Sequence, residues 1–172
     1  MEKNLRLITY ISLAVIVLSA GLLAIPYFLV PIQSSYGTVY SPISGYQFFF
    51  NAIDDRLSNL LHPTGVSGLG IASIVLMVLA LASFIFARKS SALSMLGGLL
   101  NVATSVLFFA MEASKNHVYG AQRSFINLTF MTYVIGALLV LSGLASIYFS
   151  FRSMQQEKKQ IASKQSYSYL KK

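Results

Sequence analysis

Four long apolar runs divide this chain, and the charged pair Arg88-Lys89 separates the two in the middle. None of the runs contains Asp, Glu, Lys, Arg or His; they cover residues 7–30, 66–87, 92–111 and 125–151. An α-helix rises about 1.5 Å per residue, so about 20 residues cross the hydrocarbon layer of a bilayer. The pattern therefore predicts an all-α membrane protein: a four-transmembrane-helix bundle in a single membrane domain, residues 1–172.

The first run also has features of a secretory signal, because it follows the basic flank Lys3 to Arg6 and contains Ser19-Ala20-Gly21, which resembles a cleavage site. A signal peptide, however, has an apolar core of only about 7–15 residues. The run continues well beyond that length. We therefore expect a retained first helix, with cleavage as the alternative.

The segment between the first two runs, residues 31–65, predicts one sizeable loop outside the membrane. Its first part, 33–45, contains Pro, Gly and β-prone residues and is typical of an extended loop. From Gln47 to Leu61 the apolar positions recur at helical spacing, with polar residues on the opposite face. This pattern predicts an amphipathic helix that lies on the membrane surface or against the bundle.

The distribution of positive charge predicts the orientation. Ten of the 13 Lys and Arg residues lie in the N-terminal flank, the Arg88-Lys89 turn and the tail 152–172, which four spans place on one side. Cytoplasmic segments carry the excess of Lys and Arg. We therefore expect a multi-pass cell-membrane protein with cytoplasmic termini and with loop 31–65 outside. The tail either continues the last helix or forms a disordered arm.

Composition removes several classes of function. A chain that is 55% hydrophobic and 10% charged differs from a soluble domain, in which about a quarter of residues are charged. There is no Cys, which excludes disulfides, thiolate metal sites and thiol redox chemistry. The net charge of +8 comes mainly from the ends of apolar segments, where lipid headgroups attract it, so we expect no nucleic-acid partner.

Each apolar run carries a stripe of small or weakly polar residues, which favours packing of the four helices with these stripes inward. The stripes are Thr9, Ser12, Ser19 and Pro26; Gly70, Ser73, Ala80 and Ala87; Ser94, Gly97, Asn101, Thr104 and Ser105; and Thr129, Thr132, Gly136, Gly143 and Ser150. Packing alone explains them. The alternative is that Asn101, Thr104 and Thr132 line a small polar cavity. An unpaired Asn101 amide in a membrane is costly, so we expect it to have a partner across the bundle or in another subunit.

The runs lack the groups that membrane chemistry usually needs. A proton-coupled carrier requires an ionisable group within the membrane, and small four-helix multidrug exporters depend on a glutamate in the first helix. His62 and His117 could bind a metal or haem with Glu112, Asp54 or Asp55, but they lack the helical spacing of ligating pairs. We therefore interpret them as interface histidines and expect no metal, cofactor or catalytic residue.

The arrangement of four spans, cytoplasmic termini and a larger first outer loop resembles the claudin type of topology. The tryptophan motif and two loop cysteines of that family are absent. We expect a non-catalytic integral membrane subunit or scaffold, not an enzyme, that packs with partner membrane proteins or copies of itself. Phe48, Phe49 and Phe50 are the expected docking surface. The alternatives are a small oligomeric transporter or channel component and an enzyme or electron-carrying subunit.

Overall fold

The computed structural model of the chain describes residues 2–24, 26–34, 37–50, 67–87, 90–118 and 127–169. It is mostly helical, with a small sheet at one end. The helices are α1 (Glu2–Ala20), α2 (Gly45–Phe50), α3 (Gly68–Phe86), α4 (Ser91–Val118) and α5 (Phe130–Tyr169), with a 3-10 turn at Gly21–Leu23 after α1. The strands are β1 (Pro26–Ser34), β2 (Gly37–Ser44) and β3 (Asn127–Leu128).

Four of the described helices, α1, α3, α4 and α5, are long and apolar enough to cross a membrane. The prediction of a four-span membrane protein is confirmed to that extent. In the bundle α1 packs against α3 and α5, and α4 packs against the same two helices, so α1 and α4 are diagonal neighbours. Helix α3 matches the predicted run 66–87 to within two residues at either end.

The predicted first span, 7–30, is wrong at its C-terminal end. The helix and its 3-10 turn end at Leu23, and Pro26–Ser34 forms β1 instead. Apolar character cannot distinguish a short strand from a helix, whereas Pro26 has no N–H to donate to the preceding turn and is followed by aromatic and β-branched residues. The tertiary contacts of this segment therefore decide its conformation.

Strand β1 is the centre of a three-stranded sheet in the order β2-β1-β3. It pairs antiparallel with β2, and Ser34 lies opposite Gly37, whose φ of 123° favours glycine. Its other edge pairs with β3 at Phe28 and Leu29 only. The predicted extended loop 33–45 is thus part of a hairpin, and β3 joins it to the start of α5.

The predicted amphipathic helix, Gln47 to Leu61, is described only in part. Residues 47–50 belong to α2, and residues 51–61 lie outside the described residues. The predicted third span, 92–111, lies within α4, which continues to Val118. The predicted fourth span begins too early, because Asn127 and Leu128 are in β3 and α5 begins at Phe130.

Helix α5 settles the alternatives for the C-terminal tail up to Tyr169, because it continues without a break through that residue. At about 1.5 Å per residue, the part after Phe151 projects about 27 Å beyond the apolar run. Its side chains from Gln155 to Ser163 are exposed. We call the end of the bundle that contains this extension, the start of α1 and the start of α4 the basic end. The opposite end, with α2 and the strands, is the sheet end.

Glycines allow the closest contacts in the bundle. A Cβ atom added at Gly98 would lie 2.7 Å from the carbonyl oxygen of Gly143, and one added at Gly143 would lie 2.7 Å from the carbonyl oxygen of Gly98. The backbones of α4 and α5 therefore meet directly at this level. The Phe84 ring covers Gly97 and the Phe109 ring approaches Gly136 in the same way. Small residues thus determine how closely the helices approach.

Candidate functional site

The centre of the bundle contains a hydrogen-bonded cluster that we call the polar core: Ser12, Asn101, Ser142 and Ser146. All four side chains are buried. The Ser12 hydroxyl donates to the Ser142 carbonyl oxygen at 3.2 Å and shares a 2.8 Å hydrogen bond with the Ser146 hydroxyl. Since a hydroxyl has one proton, both bonds of Ser12 form when Ser146 is the donor of the second. The cluster links α1, α4 and α5.

Asn101 has the expected partner across the bundle, although that partner is weak. Its Nδ2 donates to the Ser142 hydroxyl at 3.4 Å, which is long for a hydrogen bond. Its Oδ1 is buried and has no hydrogen-bond partner among the described residues. Rotating the amide would not help, because the Ser142 proton is already donated to the Leu139 carbonyl oxygen at 3.2 Å. The side chain is 0% exposed, so another subunit does not reach it.

Thr104 and Thr132 are also buried, and the hydrogen bonds described for them go to residues other than Asn101. The Thr104 hydroxyl donates to the Leu100 carbonyl oxygen one turn earlier in its own helix, at 2.8 Å. Thr132 shares a 3.1 Å hydrogen bond with Thr129 at the start of α5. Because Ser105 bonds to the Gly136 carbonyl oxygen, Thr132 lies about two turns from Asn101 towards the sheet end. The proposed polar cavity at these three residues stays a prediction.

The phenylalanines of α2 that we expect to dock a partner differ in their burial. Phe49 is 1% exposed and packs on Gly70 of α3, so it anchors α2 to the bundle; its docking of a partner stays a prediction. Its carbonyl oxygen also accepts a 3.0 Å hydrogen bond from the Ser67 N–H. Phe50 is 43% exposed and its ring lies 5.3 Å from the ring of Tyr46. The side chain of Phe48 lies outside the described residues.

A second candidate is a cleft of about 690 Å³ at the basic end. We call it the basic-end cleft. Its walls come from α1, the end of α3, the start of α4 and the extension of α5. The apolar part of the lining includes Leu13, Phe84 and Ile85; the polar part includes Arg6, Tyr10, Ser91, Ser153 and Glu157. Asn101, Thr104 and Thr132 do not line it.

Sequence reasoning missed Ser142 and Ser146, which complete the polar core. The seven-residue spacing of Gly136, Gly143 and Ser150 predicted a neighbouring stripe of the same helix instead. The four-residue spacing of Ser142, Ser146 and Ser150 was the available signal, because residues four apart share a helix face. Nothing in the sequence indicates that Arg6 and Glu157 line the same cleft. The side chains of His62, His117, Glu112, Asp54 and Asp55 lie outside the described residues.

No protein-family model matches the sequence of this chain, and no curated protein matches it significantly.

Proposed function

We propose that this chain is a non-catalytic integral membrane subunit or scaffold, which packs with partner membrane proteins or with copies of itself through its sheet end. The observation that carries the proposal is the arrangement of α2: Phe49 fixes this short helix to α3, while the rings of Tyr46 and Phe50 remain exposed. Aromatic side chains held rigidly at a surface are typical anchors of protein interfaces.

The interior of the bundle supports a packing role over a transport role. Among the residues that the structure describes, the buried polar side chains are all Ser, Thr or Asn. Five of them donate to a carbonyl oxygen within their own helix, namely Ser19, Ser73, Ser83, Thr104 and Ser142. The backbone contact between Gly98 and Gly143 leaves no room for a path between α4 and α5 at that level. A transporter would therefore need a path between several copies of the chain.

In this proposal the protein spans the cell membrane with both termini in the cytoplasm, so the basic end faces inward and the sheet end outward. The positive charge supports this orientation, since Lys3, Arg6 and Arg152 lie at the basic end together with Lys158 and Lys159. A partner would then meet Tyr46 and Phe50 at the outer surface of the membrane.

The test is purification of the full-length chain from its native membrane in mild detergent, as wild type, Phe50→Ala and Phe151→Ala. Phe151 is a matched control, because it is an exposed phenylalanine in the helix that leads to the basic end. We expect wild type and Phe151→Ala to elute with a stoichiometric membrane partner or as a defined oligomer. Loss of an aromatic anchor costs about 2 kcal/mol, so Phe50→Ala should weaken this association about tenfold or more.

Size-exclusion chromatography with light scattering and mass spectrometry of the eluted protein would measure the association. A wild-type chain that elutes as a partner-free monomer would contradict the proposal. So would equal association of the two variants, which would place Phe50 against lipid. A homo-oligomer with a polar lumen would favour the transporter.

A further inference from the structure

We propose that the basic-end cleft binds a phospholipid with a phosphoethanolamine headgroup, whose phosphate lies beside Arg6 and whose ammonium lies beside Glu157. The inference rests on the placement of the bundle in a bilayer. It does not depend on the partner interface at the sheet end.

The position of the cleft matches the level of lipid headgroups. It lies where the apolar part of the bundle meets the polar extension of α5, and its lining changes from apolar to polar in the same place. Leu13 and the exposed Ile85 provide surface for acyl chains, while the hydroxyls of Ser91 and Ser153 provide hydrogen-bonding groups. A volume of about 690 Å³ falls within the range of small-molecule sites. An amphiphile fits this combination better than a wholly polar ligand does.

Among the described residues, two charged side chains line the cleft, and they narrow the class of headgroup. Arg6 comes from α1 and Glu157 from α5, so a cation and an anion line the same space from two helices. Guanidinium groups bind phosphate well, and a carboxylate accepts hydrogen bonds from an ammonium group. A zwitterionic headgroup complements both. An anionic headgroup with no ammonium would leave Glu157 unmatched, and a choline headgroup has no N–H to donate to it.

Glu157 is an acidic residue in a basic part of the sequence. It is followed directly by Lys158 and Lys159, and the extension of α5 also begins with Arg152. A carboxylate weakens the attraction between a basic surface and anionic lipid. A surface that bound only anionic lipid would therefore bind it more tightly without this carboxylate. The side chains of Lys158 and Lys159 do not line the cleft, whereas Glu157 does. The carboxylate therefore contributes selectivity for a headgroup that carries a positive charge.

The test is native mass spectrometry of the delipidated full-length chain, titrated with phosphatidylethanolamine, phosphatidylcholine or phosphatidylglycerol of identical acyl chains. Wild type should bind phosphatidylethanolamine about threefold to fivefold more tightly than either of the others, the upper part of the range expected of one exposed charge pair. Glu157→Gln should remove this preference. Lys158→Gln, which changes a charge outside the cleft, should retain it.

A second pair of variants tests the location. Ser153→Trp places a bulky ring in the cleft and should remove the selective binding, while Gln155→Trp, an exposed position outside the lining, should not. Circular dichroism would confirm that both variants keep their helix content. Equal binding of the three lipids, tighter binding of phosphatidylglycerol, or a preference that survives Glu157→Gln or Ser153→Trp would each overturn the proposal.

Discussion

The burial of Asn101 was predictable from the sequence, but the fold leaves part of its hydrogen-bonding capacity unused. Its amide side chain stood out because it is the most polar group near the centre of any span, and it is fully buried as expected. The sequence could not show that its partner is Ser142, because that contact depends on the rotation of α5 against α4. It also could not show that none of the described residues donates a hydrogen bond to Oδ1. An amide that is half satisfied in a buried site is a cost to the fold.

Replacing Asn101 tests that cost. Asn101→Leu keeps a similar side-chain size and removes the unpaired oxygen, so it should raise the free energy of unfolding by about 1 kcal/mol. Ser142→Ala removes the one partner of Nδ2 and should lower it by about 1 kcal/mol. Thermal unfolding followed by circular dichroism in detergent would measure both. A less stable Asn101→Leu variant would mean that Oδ1 has a partner of its own, such as a bound water.

At the scale of elements, the helix stripes were predictable and the helix ends were not. Small residues in every span favour close packing, and Gly97, Gly98, Gly136 and Gly143 are all buried in contacts between helices. The end of α1 depended on Pro26 and on a strand partner that lies later in the chain. Helix α4 likewise continues to Val118, beyond the predicted span 92–111. This last part is polar, so apolar periodicity did not predict where the helix ends.

The backbone contact between α4 and α5 gives a prediction for a Gly→Ala substitution, and a second Gly→Ala substitution elsewhere is its control. Gly98→Ala places a Cβ atom 2.7 Å from a backbone oxygen, so the two helices must separate. We expect a loss of about 1–3 kcal/mol in the free energy of unfolding, the usual cost of overpacking. Gly68→Ala meets no atom within 4 Å and should be neutral or slightly stabilising. Equal thermal stability of the two variants would contradict this account of the contact.

At the scale of the molecule, the bundle has two different ends. The sheet and α2 cover one end, and the extension of α5 projects from the other. The charge distribution predicts which end is cytoplasmic, since insertion depends on the Lys and Arg residues beside the spans. The fold provides positions at which this orientation can be tested, because exposed side chains lie at each end of the bundle.

Single cysteines can report the orientation, because the chain has no native Cys. Tyr40→Cys lies in β2 at the sheet end, and Ser163→Cys lies in the extension of α5; both positions are exposed. In intact cells a membrane-impermeant maleimide should label Tyr40→Cys and leave Ser163→Cys unlabelled until the membrane is opened. The opposite labelling pattern would reverse the proposed orientation.

The sequence by itself determined that this protein has four segments long and apolar enough to span a membrane, because uncharged runs of that length are more stable among acyl chains than in water. It also determined which stripes hold the small residues, since that periodicity is local. Only the tertiary structure decided that residues 26–34 form a strand, that Ser142 meets Asn101, and that Arg6 and Glu157 line one cleft. Each of these depends on segments distant in the chain, and apolar character or spacing within one segment carries no information about them.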